Sequence, residues 1–569
     1  MKRITALLVA VVMAFGSVGI ADTAQANNID IKARGTWDFS FGIMDNSHFG
    51  KSYNDTSQRG GRGRIGADDA RRRGAYKNFE ALQRIRTQIN FISGEHLQGV
   101  LQFEMGIQNW GRGGADGQHN AGNQQGGQLD SRGINIKTRL AYLDWIVPHT
   151  QVSVRMGIQR LNLPSNRFGN PVFSDCVAGI VVSSPITDNF ALTGFWVRPF
   201  ADNRVAINDS GQRLRNDTDV FGLIAPVTLS GVSFSPYVMY AHIGNGGTGA
   251  DGQRWGSPPG SPPQGDGPGF GRGNGFWNYT FVDIDNSTRA NSSTNAWWLG
   301  ANLNVDILDP LVFTLDAIYG GINKTRHSAL RHPDLAGGPD VDGRISASGW
   351  YIGSTLDYKL SWGTPGIFGW YSSGDRKNAV KALQDGDGNY IGDPFVERVR
   401  VGRLPVLGTN GGFGPTSFGT AGFWGIGNGN GLNDPVISNT GTGTWGIGIQ
   451  LADVSFIEDL SHTLRFAYYQ GTNSASNYHF PDGTIAAGGG EVRSALMYDA
   501  DYMYLTTKDS VFEVNFDHVY KIYENLEVCL ELGWLRLNSN RNTWGSERGD
   551  RLKKNDDAWK ATINFKYSF

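Results

Sequence analysis

The stretch Trp559-Lys-Ala-Thr-Ile-Asn-Phe-Lys-Tyr-Ser-Phe569 decides the fold class of this chain. Every second residue in it is apolar: Trp559, Ala561, Ile563, Phe565, Tyr567 and Phe569. A β-strand sends alternate side chains to opposite faces, so one face is apolar and the other is hydrated. Its length matches the roughly 9–11 residues with which a tilted strand crosses a bilayer. The stretch therefore predicts the closing strand of a transmembrane β-barrel.

The amino-terminal segment predicts export. Lys2 and Arg3 precede the apolar run 6–20, which is followed by the small-residue site Ala24-Gln25-Ala26. This order is typical of a secretory signal peptide, so we expect a signal peptide at 1–26 and a barrel domain at 27–569. No later segment approaches the ~18 consecutive apolar residues of a spanning helix. We therefore expect a multi-pass β-barrel in the outer membrane of a Gram-negative cell, with the lipid bilayer as a partner.

The composition agrees with a barrel. Glycine contributes 79 of 569 residues, aromatic residues make up 12% of the chain and charged residues only 18%. The formal net charge of −2 excludes a generally basic nucleic-acid binder, so no nucleic-acid partner is expected. Two cysteines are too few for a disulfide framework.

The alternation recurs along the chain and predicts an all-β, antiparallel barrel of eighteen strands, with sixteen as the alternative. The predicted strands are 29–43, 78–92, 97–108, 133–147, 151–161, 177–186, 189–199, 218–229, 232–243, 294–307, 311–320, 346–360, 364–374, 441–456, 462–471, 510–522, 525–538 and 556–569. Short connections alternate with long ones, which indicates periplasmic turns and extracellular loops. The sequence assigns no role to the two longest loops, 244–293 and 374–440.

The facing of each strand follows from its apolar set, because a charge facing lipid at the bilayer midplane costs about 2–4 kcal/mol. In strand two, Ile85, Thr87 and Ile89 take the lipid side, and strand four places Thr138 and Leu140 there. Strands one to five then give a basic wall that lines the pore: Lys32, Arg34, Arg84, Arg86, Lys137, Arg139 and Arg155. Lumen-facing Tyr and Trp residues are few under these assignments.

The third long connection, 162–176, is expected to fold into the barrel and narrow it. Its candidate constriction residues are Asn166, Arg167 and Asp175. Acids that face the lumen are predicted at Glu104, Glu513, Asp517, Glu527 and Glu531. A basic wall opposed by acids sorts ions and orients dipolar solutes, and its cationic excess indicates a mild anion preference. The same side chains could instead pair with one another and stiffen the wall.

Two smaller patterns leave alternatives open. Asp385, Asp387, Asn389 and Asp393 are spaced like the start of a calcium loop, but Val396 replaces the bidentate Glu at the twelfth position. A solvated turn is the favoured interpretation, so no cofactor is expected beyond a structural Ca²⁺ as the alternative. Cys176 and Cys529 could form a disulfide in the oxidising periplasm, and two unpaired thiols fit the sequence equally.

Three segments resemble a known family, the homotrimeric outer-membrane porins of sulfate-reducing bacteria. They are the opening 28–39, the region 156–179 and the closing 558–569. The resemblance implies a general bacterial porin: a homotrimer of water-filled barrels that pass small hydrophilic solutes. The final strand resembles the signal read by the barrel-assembly machinery, which would be a partner during biogenesis.

The leading functional prediction is a passive diffusion channel for small hydrophilic solutes and ions. A substrate-specific porin for one solute class is the main alternative. An outer-membrane barrel enzyme is the second, but no histidine lies in a His-Glu-x-x-His motif and the chain has no Gly-x-Ser-x-Gly motif. The chain is therefore not expected to be an enzyme.

Overall fold

The computed structural model describes the strands and many of their connections. The described ranges are 29–45, 78–111, 136–200, 206–207, 213–214, 218–243, 293–328, 342–377, 379–382, 396–409, 414–418, 442–475, 498–499, 502–503, 505–540 and 555–569. The expected signal peptide at 1–26 and the calcium-loop candidates Asp385, Asp387, Asn389 and Asp393 lie outside these ranges. Within the described ranges, no helix is long and apolar enough to cross a membrane.

Eighteen strands form the wall, so the predicted strand number is confirmed and the sixteen-strand alternative is not. They are β1 (Asp30–Asp45), β2 (Asn78–Ser93), β3 (Leu97–Asn109), β4 (Ile136–Ile146), β5 (Ser153–Asn162), β6 (Phe173–Thr187), β7 (Phe190–Phe200), β8 (Thr218–Ile224, continued by Val227–Leu229), β9 (Val232–Ile243), β10 (Thr294–Leu308), β11 (Leu311–Ser328), β12 (Asp342–Tyr358), β13 (Thr364–Ser372), β14 (Thr444–Ile457), β15 (Leu460–Gly471), β16 (Ser510–Tyr523), β17 (Leu526–Asn538) and β18 (Asn555–Ser568). Each pairs antiparallel with its sequence neighbours.

The barrel closes where β18 pairs antiparallel with β1. Tyr567 lies opposite Trp37, and Phe565 lies opposite Phe39. The backbone of Phe569 completes the seam, because its N–H donates to the Gly35 carbonyl (3.1 Å) and its carbonyl accepts from the Gly35 N–H (2.9 Å). The predicted closing strand therefore removes the edge that an open sheet would leave unpaired.

The outer surface is apolar. On β14, Ile447 and Ile449 are 58% and 55% exposed, while Gly448 and Gln450 between and beside them are buried. On most of the strands, exposed apolar side chains alternate with buried residues in the same way, as a lipid-facing wall requires. An even-stranded closed barrel with such an exterior is an outer-membrane barrel, because closure satisfies every backbone group within the lipid.

Two connections on the long-loop side enter the barrel. The first, which we call the constriction loop, is residues 163–172 between β5 and β6. The second inward loop joins β13 to β14, and its described parts are 373–377, 379–382, 396–409, 414–418 and 442–443. Together with the inner faces of β6–β18 they bury one apolar cluster, so the core of the molecule lies inside the barrel on one side.

Candidate solute pathway

The basic wall lies on the inner face of β1–β5, where all seven cations named from the sequence are described. Lys32 and Lys137 are exposed, and Arg34 lies beside its cross-strand neighbour Gln88. The opposite faces of these strands present Ile31, Trp37 and other apolar side chains outward. The strict alternation of β1 and β2 therefore places ionic groups inside and apolar groups outside.

Four of the arginines are held by carboxylates of the same wall. Arg84 donates from Nε and Nη2 to Asp38 Oδ2 at 3.1 and 2.9 Å, and both side chains are buried. Arg155 donates to Asp144 Oδ2 at 2.6 Å. The sequence analysis did not single out Asp38 or Asp144. Asp38 does share the inward register of Lys32 and Arg34 on β1, which is the signal that would have found it.

Glu104 belongs to the basic wall rather than to an opposing acidic face. Its Oε2 accepts from Arg86 Nε and from Arg139 Nη1, both at 2.7 Å. One carboxylate bridging two guanidiniums leaves a net positive charge at this level of the wall. The wall is therefore both cross-braced and cationic. Pairing that stiffens the wall and a charge that could sort ions, the two interpretations left open by the sequence, thus involve the same residues.

A β-bulge in β4 changes one facing assignment. Gln102 of β3 lies opposite Leu140, and the next residue, Phe103, lies opposite Thr138. Arg139 is therefore the extra residue of the bulge, with no β3 residue directly opposite it. Leu140 consequently shares the lumen side with Gln102, and its expected place on the lipid side is wrong. A bulge inserts one residue and reverses the facing on one side of it, which simple alternation cannot anticipate.

The constriction loop crosses the lumen to strands that are far from β5 and β6 around the wall. The Asn166 N–H donates to Asp316 Oδ2 on β11 (2.8 Å), and the Asn166 side chain caps the Phe168 N–H (2.9 Å). Arg167 forms an ion pair with Asp357 on β12. Burial lowers the pKa of the Arg167 guanidinium, and the Asp357 carboxylate opposes this effect. The predicted inward fold of the loop is thus anchored by named contacts.

The remaining constriction candidate and the two cysteines lie at the strand ends. Asp175 is in β6 and accepts from the adjacent Cys176 N–H at 2.6 Å. Cys176 lies opposite Arg160 of β5, whereas Cys529 lies opposite Asn564 of β18. Both thiols are free in the structure, so the disulfide considered from the sequence is not formed. The two cysteines belong to strands in different parts of the wall.

The second inward loop packs against the constriction loop and extends across the barrel. The Leu407 N–H donates to the Val172 carbonyl (2.9 Å), and the Gly414 N–H donates to the Phe168 carbonyl (2.9 Å). Residues Gly408–Thr409 pair parallel with Phe173–Ser174 of β6. Trp298 of β10 donates from Nε1 to the Pro405 carbonyl (2.9 Å). The two loops therefore form one layer inside the barrel.

Residues 414–418 of the second inward loop dock on β16 and β18. The Phe418 N–H donates to Glu513 Oε1 (3.0 Å), and the Ser417 N–H donates to Asn515 Oδ1 (3.1 Å). The Lys560 ammonium donates to the Ser417 carbonyl and lies 5.1 Å from the centre of the Phe418 ring. We call Glu513, Asn515, Asp517 and Lys560 the docking platform.

The lumen acids other than Glu104 do not form the open acidic face that the sequence suggested. Glu513 is covered by Phe418, and Glu531 accepts from Thr562 (3.2 Å) and Asn564 (3.0 Å) and is 3% exposed. Asp517 pairs with Arg465 at 2.7 Å. Glu527, near the turn end of β17, lies opposite Lys566 and Lys521. Ser417 and Phe418 of the second inward loop cover part of this face, which strand periodicity alone does not reveal.

Large aromatic side chains line the inner face beneath the loops, contrary to the expectation that they are few. Tyr237, Trp298, Tyr351, Trp370 and Tyr469 are all at most 4% exposed. Their neighbours on the outer face are also apolar. At these positions the apolar residues therefore do not show which side of the strand faces the lipid. Because the loops cover them, these rings serve as packing surface and not as an exposed track.

Comparison with known proteins gives distant matches only. No protein-family model and no curated protein matches the sequence. Among solved structures, OpdO of Pseudomonas aeruginosa has a TM-score of 0.40 and 12% identity, over 95% of this chain and 97% of that one. OccAB1 of Acinetobacter baumannii has a TM-score of 0.42 and 11% identity, over 96% and 99% of the two chains. Matches this distant identify neither a transported solute nor an assembly state.

Proposed function

We propose that this chain is a passive outer-membrane channel for small hydrophilic solutes and ions, with the solute path along the basic wall. The observation that carries the proposal is the distribution of polarity inside the barrel. The inner face of β1–β5 carries exposed cations, while the two inward loops bury the inner face of much of the remaining wall. Water and solutes therefore find a cationic, hydrogen-bonding surface along β1–β5.

The charge of this side supports an anion preference. Glu104 is shared by Arg86 and Arg139, Asp38 is paired with Arg84, and Lys137 and Arg34 add exposed cations. Side-chain charges at close quarters select the sign of the permeant ion. The path should therefore admit small anions more readily than small cations, and passage requires no coupled energy source.

Ion selectivity in a planar bilayer tests the proposal. Tag-free protein in a KCl gradient should conduct and give a reversal potential on the anion side. The variant Glu104→Gln removes the carboxylate between two guanidiniums, so the anion-to-cation permeability ratio should rise by about twofold. The control Glu95→Gln changes an exposed carboxylate in the β2–β3 turn and should leave the ratio unchanged. Absence of conductance, or a cation preference in the parent protein, would contradict the proposal.

A substrate-specific channel is the second candidate, and the inward loops favour it. The Phe168 ring contacts the Phe368 ring edge-on with 5.6 Å between centroids, and Leu404 and Leu407 belong to the same buried cluster. Such a packed layer leaves less open cross-section than a barrel with one constriction loop. Blockade of the current by one class of solute at low concentration, with other solutes without effect, would favour this candidate.

The homotrimer is part of the proposal and rests on the resemblance of residues 28–39, 156–179 and 558–569. Chemical cross-linking of the protein in native membranes should give a species of three chains. Delivery by a signal peptide and insertion by the barrel-assembly machinery remain predictions of the same kind. The absence of enzymatic activity also remains a prediction, which lipid- and peptide-hydrolysis assays of the purified protein would check.

A further inference from the structure

The outer face of the barrel carries two belts of exposed aromatic side chains. Near the long-loop ends the upper belt contains Tyr240, Tyr319, Trp350, Tyr371, Tyr468 and Phe512. Its members are neighbours across strands: Tyr319 lies opposite Trp350, and Tyr468 lies opposite Phe512. Near the turns the lower belt contains Tyr358, Trp362, Phe456, Tyr520, Tyr523 and Tyr567. Aromatic belts of this kind lie at the two headgroup regions of a membrane.

The separation of the belts fits a bilayer. Trp350 and Tyr358 lie on the same strand, β12. At about 3.3 Å per residue and a tilt of about 40°, they are about 20 Å apart along the membrane normal. This approaches the apolar band of about 25 Å of outer-membrane barrels. The side chains directly above Trp350 and Tyr371 therefore lie at the headgroups of the outer leaflet.

A cleft of about 380 Å³ lies at this level. Its aromatic side is formed by Trp350 and Tyr371, whose rings stack with 4.7 Å between centroids and 20° between planes. Arg376 and Lys377 line the same cleft, and both are exposed. Ser474 and other hydroxyl-bearing residues complete its lining. A stacked aromatic pair and two cations thus converge on one concave surface at the long-loop end of the barrel.

Asp375, which precedes these cations in sequence, also lines the cleft, and its carboxylate contacts residues of the loop backbone and Arg403. Asp375 is 1% exposed, its Oδ1 accepts from the Gly402 N–H (2.8 Å), and its Oδ2 lies 3.1 Å from Arg403 Nε. Its negative charge is thus compensated by Arg403 of the second inward loop. The Asp375 N–H donates to Asn473 Oδ1 (2.9 Å), which fixes the backbone immediately before Arg376. The cleft therefore has a rigid base, and the side chains of Arg376 and Lys377 are exposed at its mouth.

We propose that this cleft binds a phosphate group of the anionic glycolipid that forms the outer leaflet. Arginine matches the geometry of phosphate oxygens, and Lys or Arg residues near an anionic membrane surface are attracted to it. The Ser373 and Thr472 hydroxyls already donate to the Gly402 and Ser372 carbonyls (2.7 Å each), so Arg376 and Lys377 supply the contacts to the phosphate. The stacked rings present an apolar face to the sugar ring and the first methylenes of the acyl chains. The site is independent of the solute path and of its selectivity.

Native mass spectrometry of the full barrel tests the proposal. The tag-free protein in nanodiscs is mixed with diphosphorylated lipid A, with dephosphorylated lipid A, or with inorganic phosphate. The parent protein should retain diphosphorylated lipid A in preference to the dephosphorylated form. The double variant Arg376→Gln/Lys377→Gln should lose about tenfold or more of this retention, as expected for two surface cations. The matched control Lys359→Gln/Lys521→Gln removes exposed cations at the turn end and should retain the lipid.

Each result decides the proposal. Retention that is lost in the double variant and kept in the control supports it, and so does a partial loss in Trp350→Leu with none in Trp362→Leu. Equal retention by the double variant and the parent overturns it. Binding of inorganic phosphate without preference for the phosphorylated lipid also overturns it, because the site would then take free phosphate. If the double variant fails to fold, as judged by gel mobility without heating, Lys377→Gln alone gives the same comparison.

Discussion

The strands β1–β5 and the strands β9–β16 form opposite kinds of wall in one barrel. In the first group one face is apolar and the other carries ions, so that Arg34 faces the lumen and Ile31 and Trp37 face the lipid. In the second group large apolar side chains also occupy the inner face, as Trp298 and its outward neighbour Leu299 show with 0% and 59% exposure. The first wall borders water inside, whereas the second borders the inward loops. Whether the inner face carries polar or apolar side chains thus follows what it contacts, the open lumen or the inward loops.

The two walls are also braced differently. The ionic wall is cross-linked by carboxylate–guanidinium pairs such as Arg84–Asp38 and Arg155–Asp144. The apolar wall is held by packing of rings against loop residues and by the polar docking platform at its far side. Mutations in the two walls should therefore differ in how much they lower the free energy of unfolding and in how strongly their effects depend on the salt concentration.

The largest effect is expected for Lys560→Met. Lys560 is 2% exposed, contacts the Ser417 carbonyl and interacts with Glu513, Asp517 and Glu531. Removing the cation leaves buried carboxylates without their counter-charge, so the free energy of unfolding should fall by about 3–5 kcal/mol. Urea unfolding of the reconstituted barrel, followed by gel mobility, measures this. Lys521→Met, at an exposed position of β16, should change it by less than about 0.5 kcal/mol. Equal losses in the two variants would contradict the assignment of the docking platform.

A matched pair on β10 should give the next largest effect. Trp298→Ala leaves a cavity beneath the second inward loop and removes the hydrogen bond to the Pro405 carbonyl, which should cost about 3 kcal/mol. Leu299→Ala removes a lipid-facing side chain and should cost only about 1 kcal/mol. The same unfolding measurement compares them. A larger loss for Leu299→Ala would mean that the inner face is not the packed one.

The smallest effect is expected within the ionic wall. Arg155 and Asp144 side chains are 40% and 17% exposed, so a double-mutant cycle to Gln and Asn should give a coupling of at most about 1 kcal/mol. The buried pair Arg84–Asp38 should give a larger coupling in the same cycle. Raising the salt concentration to 1 M should reduce the first coupling more than the second, because buried pairs are screened less. Equal couplings at both salt concentrations would contradict this ranking.

The sequence predicted the barrel well where a single rule governs a strand. The eighteen strands are confirmed, and in β1 and β2 the predicted cations Lys32, Arg34, Arg84 and Arg86 lie on the same face as the buried residues Asp38 and Gln88. The rule failed at Leu140, where a bulge reverses the facing, and at Trp298 and Tyr351, where both faces are apolar. Period-two patterns carry information only when the two faces meet different surroundings.

The candidate site was less accessible to sequence analysis for a related reason. The constriction loop was predicted from its position, but its anchors on Asp316 and Asp357 join residues far apart in the chain. The second inward loop gave no periodic signal at all, although it determines which acids are covered. Long-range contacts depend on how the wall curves, and no local pattern encodes that curvature.

By itself, the sequence predicted a membrane barrel, because alternating strands such as 559–569 recur along the chain and short turns alternate with long loops. It also determined that one part of the inner wall is cationic. The tertiary structure alone decided which side of the lumen stays hydrated, since that depends on where Phe168 and Phe418 dock across the barrel. Burial depends on contacts between the wall and the loops. These contacts join residues far apart in the chain and form only when the barrel is closed.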